Sequence, residues 1–320
     1  MREKPLRITH HASRPDMTNP IPPPADFYCA QLSLENEEFM AGTAVSAPVW
    51  VLLEYRQLWQ AEATRDNTLP VSVKMWLDEQ LKGVNGRLQF IRQTPYHEPY
   101  RCFVSIPDAQ NPRLYRFEFA EYEELLDLDL AAVANGAARY SPNLSLESLF
   151  LVCTNGKRDR CCAKFGMVLY QALANVAGTA VWQTTHLGGH RFAPTLVTFP
   201  AGISYGRVTL NDVPGFLAAQ QNEQLFLPCL RGRVNYDAVT QAAEYYLCQH
   251  LNQTGLTAFE HLRTIPGQAN DWVVQFRHPD AGQIFQIDII EERTGPVFPS
   301  CGVLEPKTVP YYRLHHLSAQ

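Results

Sequence analysis

The distribution of hydrophobic and polar positions along the first half of the chain predicts a mixed series of strands and helices. Residues 50–55 form an apolar run without a breaker, rich in β-branched and aromatic side chains, which is typical of a buried strand. Pro70 then opens a helix that ends at Gly83. The helix is predicted to bury Val73, Met75, Trp76, Leu77 and Leu81. Three strands and a second helix follow, at residues 87–93, 101–106 and 113–119 and at Glu121–Ala134.

A second series of the same kind begins after a turn signal at residues 141–143. It contains a strand at Leu149–Cys153, a polar loop at Thr154–Cys161, a helix at Ala163–Ala174, strands at residues 179–184, 195–200 and 203–209, and a helix capped by Asn211 or Asp212. The order β, α, β, β, β, α therefore recurs with an offset of roughly 95 residues. Two interpretations are open: an internal duplication, or two unrelated α/β halves of similar size.

The two ends of the chain differ from these halves. Residues 1–25 contain six prolines and few large apolar side chains, which predicts a disordered arm. After Pro228, a helix capped by Asp237 and two strands at residues 272–277 and 284–291 predict a small α+β unit. The predicted domains are a disordered arm (1–25), an N-terminal α/β domain (26–138), a second α/β domain (139–226) and the C-terminal α+β unit (227–320).

Composition favours a globular protein over a nucleic-acid-binding or membrane-spanning one. Of 320 residues, 46% are hydrophobic and 18% are charged, and the formal net charge is −5. The chain therefore has enough apolar surface for a core and no strong positive field to attract nucleic acid. No apolar run matches a secretory signal or a membrane span. We expect a cytoplasmic protein whose partners are neither nucleic acid nor membrane.

The eight cysteines are expected to be reduced thiols or metal ligands, because no export signal is visible. Three of them are clustered: Cys153 ends a predicted strand, and Cys161 and Cys162 precede a predicted helix. Strand ends and helix N-termini meet at one rim of an α/β sheet, which is where such folds keep their sites. The loop between them is cationic, and positive charge favours the thiolate form that binds metals. The other five cysteines are predicted to be small buried residues: Cys29, Cys102, Cys229, Cys248 and Cys301. For Cys301, which stands between Ser300 and Gly302, exposure is the open alternative.

Two histidines follow another strand end in the same predicted unit. His186 and His190 have the spacing of a zinc-protease pair, but Leu187 stands where that motif needs Glu, and Gly188 and Gly189 interrupt any helix. A loop wrapped closely around a bound group fits this sequence better. With Cys153 and Cys162, the histidines make a candidate set of four ligands.

Three chemistries are open for these residues. A structural zinc site usually uses Cys-x2-4-Cys, and the spacing from Cys153 to Cys162 is longer than that. A 2Fe-2S cluster tolerates long ligand loops, and two imidazoles can replace two thiolates on one iron, so the spacing favours the cluster. The third chemistry is a thiol site that uses Cys161 or Cys162. It lacks Cys-x-x-Cys, and adjacent cysteines form only a strained disulfide.

Three motifs resemble the sucrase/ferredoxin-like proteins. They are Cys-Thr-Asn-Gly-Lys-Arg-Asp-Arg-Cys-Cys-Ala-Lys-Phe-Gly at 153–166, His-Leu-Gly-Gly-His-Arg-Phe-Ala-Pro-Thr at 186–195 and Pro-Ala-Gly-Ile-Ser-Tyr-Gly-Arg-Val at 200–208. Upstream, Phe27-Tyr28-Cys29-Ala30 and Gly42-Thr43-Ala44 also look like the N-terminal half of that family, so the resemblance spans roughly residues 26–236. It implies a thioredoxin-like ferredoxin domain, and the repeated element order adds the expectation of a second, degenerate thioredoxin-like half before it. It also implies the ligands of a 2Fe-2S cluster: Cys153 and Cys162 on one iron, and His186 and His190 on the other. The spacing in the family favours Cys162 over Cys161.

The resemblance and the ligand types together predict an iron-sulfur electron carrier or redox sensor rather than a stand-alone catalyst. Imidazole donates less negative charge than thiolate, so the potential is expected well above the roughly −400 mV of plant-type ferredoxins. It should fall with rising pH, because a ligand imidazole can lose a proton on oxidation. Five cationic residues are predicted to dock an acidic redox partner: Lys157, Arg158, Arg160, Lys164 and Arg191. No pair of carboxylates for glycoside hydrolysis is identifiable.

Overall fold

The computed structural model describes residues 27–96 and 98–319. The predicted arm, residues 1–25, lies outside the described residues. The helices are α1 (Cys29–Glu35), α2 (Val71–Gly83), α3 (Leu130–Ala134), α4 (Arg160–Ala177), α5 (Val213–Gln221) and α6 (Ala238–Leu251). The strands are β1 (Val49–Glu54), β2 (Gly86–Arg92), β3 (Tyr100–Ile106), β4 (Arg113–Phe119), β5 (Leu149–Cys153), β6 (Val181–Thr184), β7 (Thr195–Phe199), β8 (Ile203–Gly206), β9 (Leu230–Arg233), β10 (Glu260–Pro266), β11 (Asp271–Arg277), β12 (Ile284–Arg293) and β13 (Pro310–Ala319).

Within the described residues these strands form two sheets. The large sheet has nine strands in the order β4-β3-β1-β2-β6-β5-β7-β8-β9, and the small sheet has four in the order β10-β11-β12-β13. Helices accompany both sheets, so the mixed α/β fold class predicted from the sequence is confirmed. The assignment of each half to the thioredoxin-like fold stays a prediction.

The large sheet contains the same connectivity twice. In the first half, β1 runs parallel to β2 and antiparallel to β3, which pairs with β4. In the second half, β5 runs parallel to β6 and antiparallel to β7, which pairs with β8. The halves meet where β2 pairs antiparallel with β6, at Ile91 with Thr184 and Arg92 with Gln183. The order inferred from the hydrophobic pattern is therefore repeated in the sheet itself.

The central strands are buried on both faces, which explains their unbroken apolar sequences. Every residue of β1 and of β5 is buried, as expected where helices or loops cover both sides of a sheet. Trp50 and Leu52 of β1 lie in one apolar cluster with Leu151 of β5 and Trp182 of β6. The two halves thus share part of their core.

The prediction of one helix over Glu121–Ala134 is wrong. The segment instead forms a 3-10 turn at Tyr122–Asp127 and the short helix α3. Leu128 between them is extended, with φ −85° and ψ 138°. The Asp129 side chain accepts a hydrogen bond from the Ala132 backbone N–H and so starts a new helix. An N-cap inside a helical pattern therefore divides it into two elements.

Two smaller predictions also need correction. In α2, Val73, Trp76 and Leu77 are buried, but Met75 is 68% exposed. Two residues correspond to about 200° around a helix, so Met75 faces away from the side that contains Val73. The strand predicted to reach residue 209 ends at Gly206, because Arg207 adopts a positive φ of 56° that leaves the strand conformation.

The C-terminal unit consists of α6 and the small sheet, with Asp237 capping the helix as predicted. Its apolar core is continuous with that of the second half: Ala242 and Leu247 of α6 join Val152 of β5 and Ile287 of β12. One ion pair also connects them. Arg233 at the end of β9 donates to Glu244 of α6 over 2.6 Å, and both side chains are almost fully buried. No helix of the described segments has both the length and the apolar character needed to cross a membrane.

The Arg233–Glu244 pair supplies a stability prediction. Replacing Glu244 with Ala leaves a buried guanidinium without its counter-charge, so the free energy of unfolding should fall by about 3–5 kcal/mol. Urea denaturation followed by circular dichroism measures the change. Arg277→Ala, which removes the exposed pair with Glu260, is the control and should cost at most about 1 kcal/mol. Equal losses in the two variants would contradict this view of the interface.

Candidate metal centre

The sequence-predicted thiols meet where β5 ends and α4 begins. Cys153 is the last residue of β5, and Cys162 lies in the first turn of α4. This helix starts at Arg160, three residues before its predicted start, because the buried Asp159 side chain caps it by accepting from the Cys161 backbone N–H over 2.9 Å. The earlier start places both adjacent cysteines on the helix.

A glycine lets the helix approach the strand. A Cβ built on Gly166 would lie 2.0 Å from the Cys153 carbonyl oxygen, so only glycine fits where α4 crosses the end of β5. The close approach brings the Cys162 thiol to the Cys153 thiol. The Cys153 and Cys162 sulfurs and one imidazole nitrogen of His186 lie within 4.8 Å of one another.

The histidine loop is held by two glycines and a buried cation. Gly188 and Gly189 have φ values of 87° and 68°, in the left-handed region that favours glycine. Arg231 of β9 is buried and donates to the Gly188 carbonyl over 3.0 Å and to the Thr43 hydroxyl over 3.0 Å. The sequence indicated a loop wrapped around a bound group, and the structure shows which side chain holds that loop.

The two imidazoles lie one after the other on the side of the thiols that faces the loop, with their ring planes tilted by 35°. His186 Nδ1 lies 3.9 Å from Cys162 Sγ, and His186 Nε2 lies 3.3 Å from His190 Nδ1. On the far side, His190 Nε2 is 3.7 Å from Asp159 Oδ2. The structure thus brings three of the four predicted ligands, Cys153, Cys162 and His186, into one group. The fourth, His190, lies directly against His186.

Burial and neighbouring groups shift the acidity of this site. A hydrogen bond from Cys162, and then His186, hold the pKa of the Cys153 thiol well below its ordinary range. The same hydrogen bond, and then burial, raise the pKa of Cys162. Burial is the largest cause that lowers the pKa of His190, followed by the charge of His186. A thiolate at Cys153 and a neutral His190 are the forms in which these residues bind metals.

A second group of ligand-type side chains lies on the other side of the same helix turn. Cys161 Sγ is 3.6 Å from Cys29 Sγ and 3.2 Å from Cys301 Sγ, and Cys29 Sγ is 3.9 Å from Asp159 Oδ1. Consecutive residues on a helix point about 100° apart. Cys161 and Cys162 therefore belong to different groups, and Cys162 is the one that lies with Cys153 and His186.

Cys29 and Cys301 are ligand-type residues that the sequence did not single out. The prediction of burial holds for Cys29, Cys102, Cys229 and Cys248, and Cys301 is partly exposed, which is the alternative that its Ser300 and Gly302 neighbours left open. Cys29 and Cys301 lie 132 and 140 positions from Cys161, so no local spacing reveals the cluster. The available signal was the Cys161–Cys162 pair itself, because the predicted cluster uses only one of the two.

Three of the five predicted docking cations form contacts with other residues of the chain. Arg158 pairs with Glu62, Arg160 donates to the Phe27 carbonyl, and Arg191 pairs with Glu38. The other two are exposed: Lys157 lies in the loop before α4, and Lys164 lies over the Tyr28 ring at 3.7 Å.

Comparison with known proteins identifies one matching family. The sequence profile of the family described as Sucrase/ferredoxin-like matches residues 40–232. "Altered inheritance of mitochondria protein 32" of Meyerozyma guilliermondii is 33% identical over 81 residues, which cover 22% of this chain and 29% of that protein. The alignment thus spans less than a third of the relative's length. No solved structure matches.

The contact at Gly166 yields a test of how the centre is positioned. Gly166→Ala should lower the free energy of unfolding by about 1–3 kcal/mol, because the added methyl forces α4 away from the Cys153 backbone. Urea denaturation measures the change. Gly83→Ala in α2, where an added Cβ meets nothing within 4 Å, should leave stability unchanged or slightly raised. A Gly166→Ala protein as stable as the unsubstituted one would refute the contact.

Proposed function

This chain belongs to the sucrase/ferredoxin-like family, and we propose that it is an electron-transfer protein with a 2Fe-2S cluster. The proposed ligands are Cys153, Cys162, His186 and His190. The single observation that carries the proposal is the grouping of two buried thiols with the His186 imidazole within 4.8 Å, next to His190. Soft thiolates and imidazoles are the donors that iron-sulfur clusters use.

The residues fit such a group in chemistry and in rigidity. Cys153 and Cys162 lie on a strand and a helix that glycine packing holds together. The histidines lie on a short loop fixed by Arg231. Elements of this kind position ligands more precisely than free loops. The low pKa of the Cys153 thiol also favours the charged form required for binding.

A bound 2Fe-2S cluster would supply one-electron chemistry. The chain itself would contribute a positive charge near the cluster and a route by which a partner protein reaches it. Within the described residues, Arg231 donates to neutral oxygens of Thr43 and Gly188 and to no carboxylate. Burial lowers the pKa of Arg231 to about 9, so the guanidinium stays cationic at neutral pH. A buried positive charge beside the site favours the state with one more electron.

Electron exchange is proposed to occur at the histidine loop. His186 and His190 are half-buried, whereas both cysteines of the proposed set are buried. A cleft of about 610 Å³ borders His186 and is also lined by Arg87, Asn155 and Arg158. The exposed Lys157 and Lys164 flank the start of α4, and they are the residues we propose for contact with an acidic redox partner.

Metal analysis and ultraviolet-visible spectra test the cluster directly. Protein purified without oxygen should be red-brown and contain about two irons per chain. Cys153→Ser and Cys162→Ser should lose the iron. His186→Cys and His190→Cys should keep it but shift the absorption bands, because thiolate replaces imidazole.

Cys102→Ser is the matched control, since Cys102 is equally buried but lies outside the ligand group. It should keep both the iron and the spectrum. Colourless protein with zinc on two sulfurs and two imidazoles would instead establish the non-redox zinc protein, and iron that survives Cys162→Ser would remove this ligand set.

The pH dependence of the reduction potential tests the histidine ligands. Oxidation draws charge from a ligand imidazole and makes it more acidic, so raising the pH favours the oxidised state. The midpoint potential should therefore fall with rising pH, by up to about 59 mV per pH unit for one proton per electron.

Protein-film voltammetry between pH 6 and pH 10 measures the slope. His190→Cys should flatten it, whereas His250→Gln, which changes an exposed histidine at the end of α6, should leave it unchanged. A potential that is independent of pH in the unsubstituted protein would argue against histidine ligation.

A further inference from the structure

A second set of metal-ligand side chains lies beside the proposed cluster site and is not part of it. The thiols of Cys29, Cys161 and Cys301 and the carboxylate of Asp159 have ligand atoms within 4.8 Å of one another. We propose that these four residues bind one zinc ion in a tetrahedral site. The inference does not rest on the 2Fe-2S proposal, because the two ligand sets share no residue.

The distances between the sulfurs fit a single ion. Cys161 and Cys301 are 3.2 Å apart, and Cys29 lies 3.6 Å from each of them. A tetrahedral zinc ion with Zn–S bonds of about 2.3 Å requires S···S edges of about 3.8 Å. The edges of the triangle therefore need to lengthen by about 0.2–0.6 Å to hold the ion. All three sulfur–sulfur distances are also too long for a disulfide bond, which has an S–S distance of about 2.05 Å.

The Asp159 carboxylate is oriented so that it could bind a metal together with Cys29. Its oxygens accept hydrogen bonds of 2.9 Å from the Cys161 N–H, the Ser300 hydroxyl and the Cys301 N–H. An ionised carboxylate offers about four acceptor positions, so these three donors orient it and leave one. The Cys29 thiol lies 3.9 Å from Oδ1 at that position, and a metal ion bound to Cys29 would displace its proton. Within the described segments no arginine or lysine forms an ion pair with this buried group. A cation in the thiol triangle would compensate its charge.

A backbone donor also contacts this group. The Cys29 N–H donates to Cys301 Sγ over 3.4 Å. Hydrogen bonds of this kind orient metal ligands and stabilise their negative charge. Three adjacent thiolates would repel one another without a cation, so a metal that displaces the thiol protons would also hold the three sulfurs together.

The site would connect three distant parts of the chain. Cys29 belongs to α1, Cys161 to α4, and Cys301 to the connection between β12 and β13. That connection, residues 294–309, contains no helix and one isolated bridge, between Val297 and Lys307. Its apolar anchor on the N-terminal segment is the contact of Phe298 with Phe27, at 5.3 Å between ring centroids. Long connections with little packing of their own are frequently held by a metal or disulfide.

Adjacent cysteines allow a reciprocal experiment. Iron and zinc are measured on the same samples of full-length protein, purified without oxygen or chelator. The unsubstituted protein should contain about one zinc per chain. Cys161→Ser should lose the zinc and keep any iron, whereas Cys162→Ser should keep the zinc. Cys301→Ser should behave as Cys161→Ser, and Cys102→Ser should change neither metal.

A measurement on the unsubstituted protein covers the case in which a variant fails to fold. X-ray absorption at the zinc edge should give three sulfurs at about 2.3 Å and one oxygen at about 2.0–2.2 Å. Two sulfurs with two nitrogens would mean that zinc occupies the His186 site, and it would overturn the inference. Protein without zinc, or with a Cys161–Cys301 disulfide after oxygen-free purification, would overturn it as well.

The two proposals fail in different ways. Zinc on three sulfurs and one oxygen in a protein without iron would remove the 2Fe-2S proposal and support this one. Iron that depends on Cys162, in a protein without zinc, would do the reverse.

Discussion

The close approach of α4 to the end of β5 is the contact on which the proposed metal centre depends. Gly166 lies against the Cys153 carbonyl at a distance that excludes any side chain. That contact fixes the first turn of the helix over the sheet rim, and with it the directions of Cys161 and Cys162. Because successive helical residues diverge by about 100°, one turn presents a thiol to each of two neighbouring groups.

Asp159 links those two groups through its carboxylate. It caps α4, accepts from the C-terminal segment at Ser300 and Cys301, and faces His190 Nε2 at 3.7 Å. A single buried carboxylate therefore affects the start of a helix, a long loop and an imidazole. Such a residue couples changes on either side of it, since a shift in its position alters contacts in both groups.

The sequence predicted the strands well because their signals are local. The runs that became β1 and β5 were unbroken and apolar, and both strands are buried along their whole length. The helix at Glu121–Ala134 was wrong because the capping preference of Asp129 overrides the periodicity around it. Likewise, Cys153, Cys162 and the histidine pair carry motif spacing, whereas Cys29 and Cys301 approach Cys161 only after the ends of the chain have folded back. Sequence separation of that size leaves no pattern for a local reading to detect.

The seam between β2 and β6 limits how this protein can be divided. Two residue pairs join the strands, and Gln93 adds a side-chain hydrogen bond to the Val181 carbonyl. Cutting the chain between the halves would turn both strands into exposed sheet edges and uncover the apolar surface around Trp50 and Trp182. Exposed edges pair with other chains and promote aggregation. Strands β1–β4 therefore act as a permanent intramolecular cover for the half of the sheet that carries Cys153 and the histidine loop, and each half protects the sheet edge of the other.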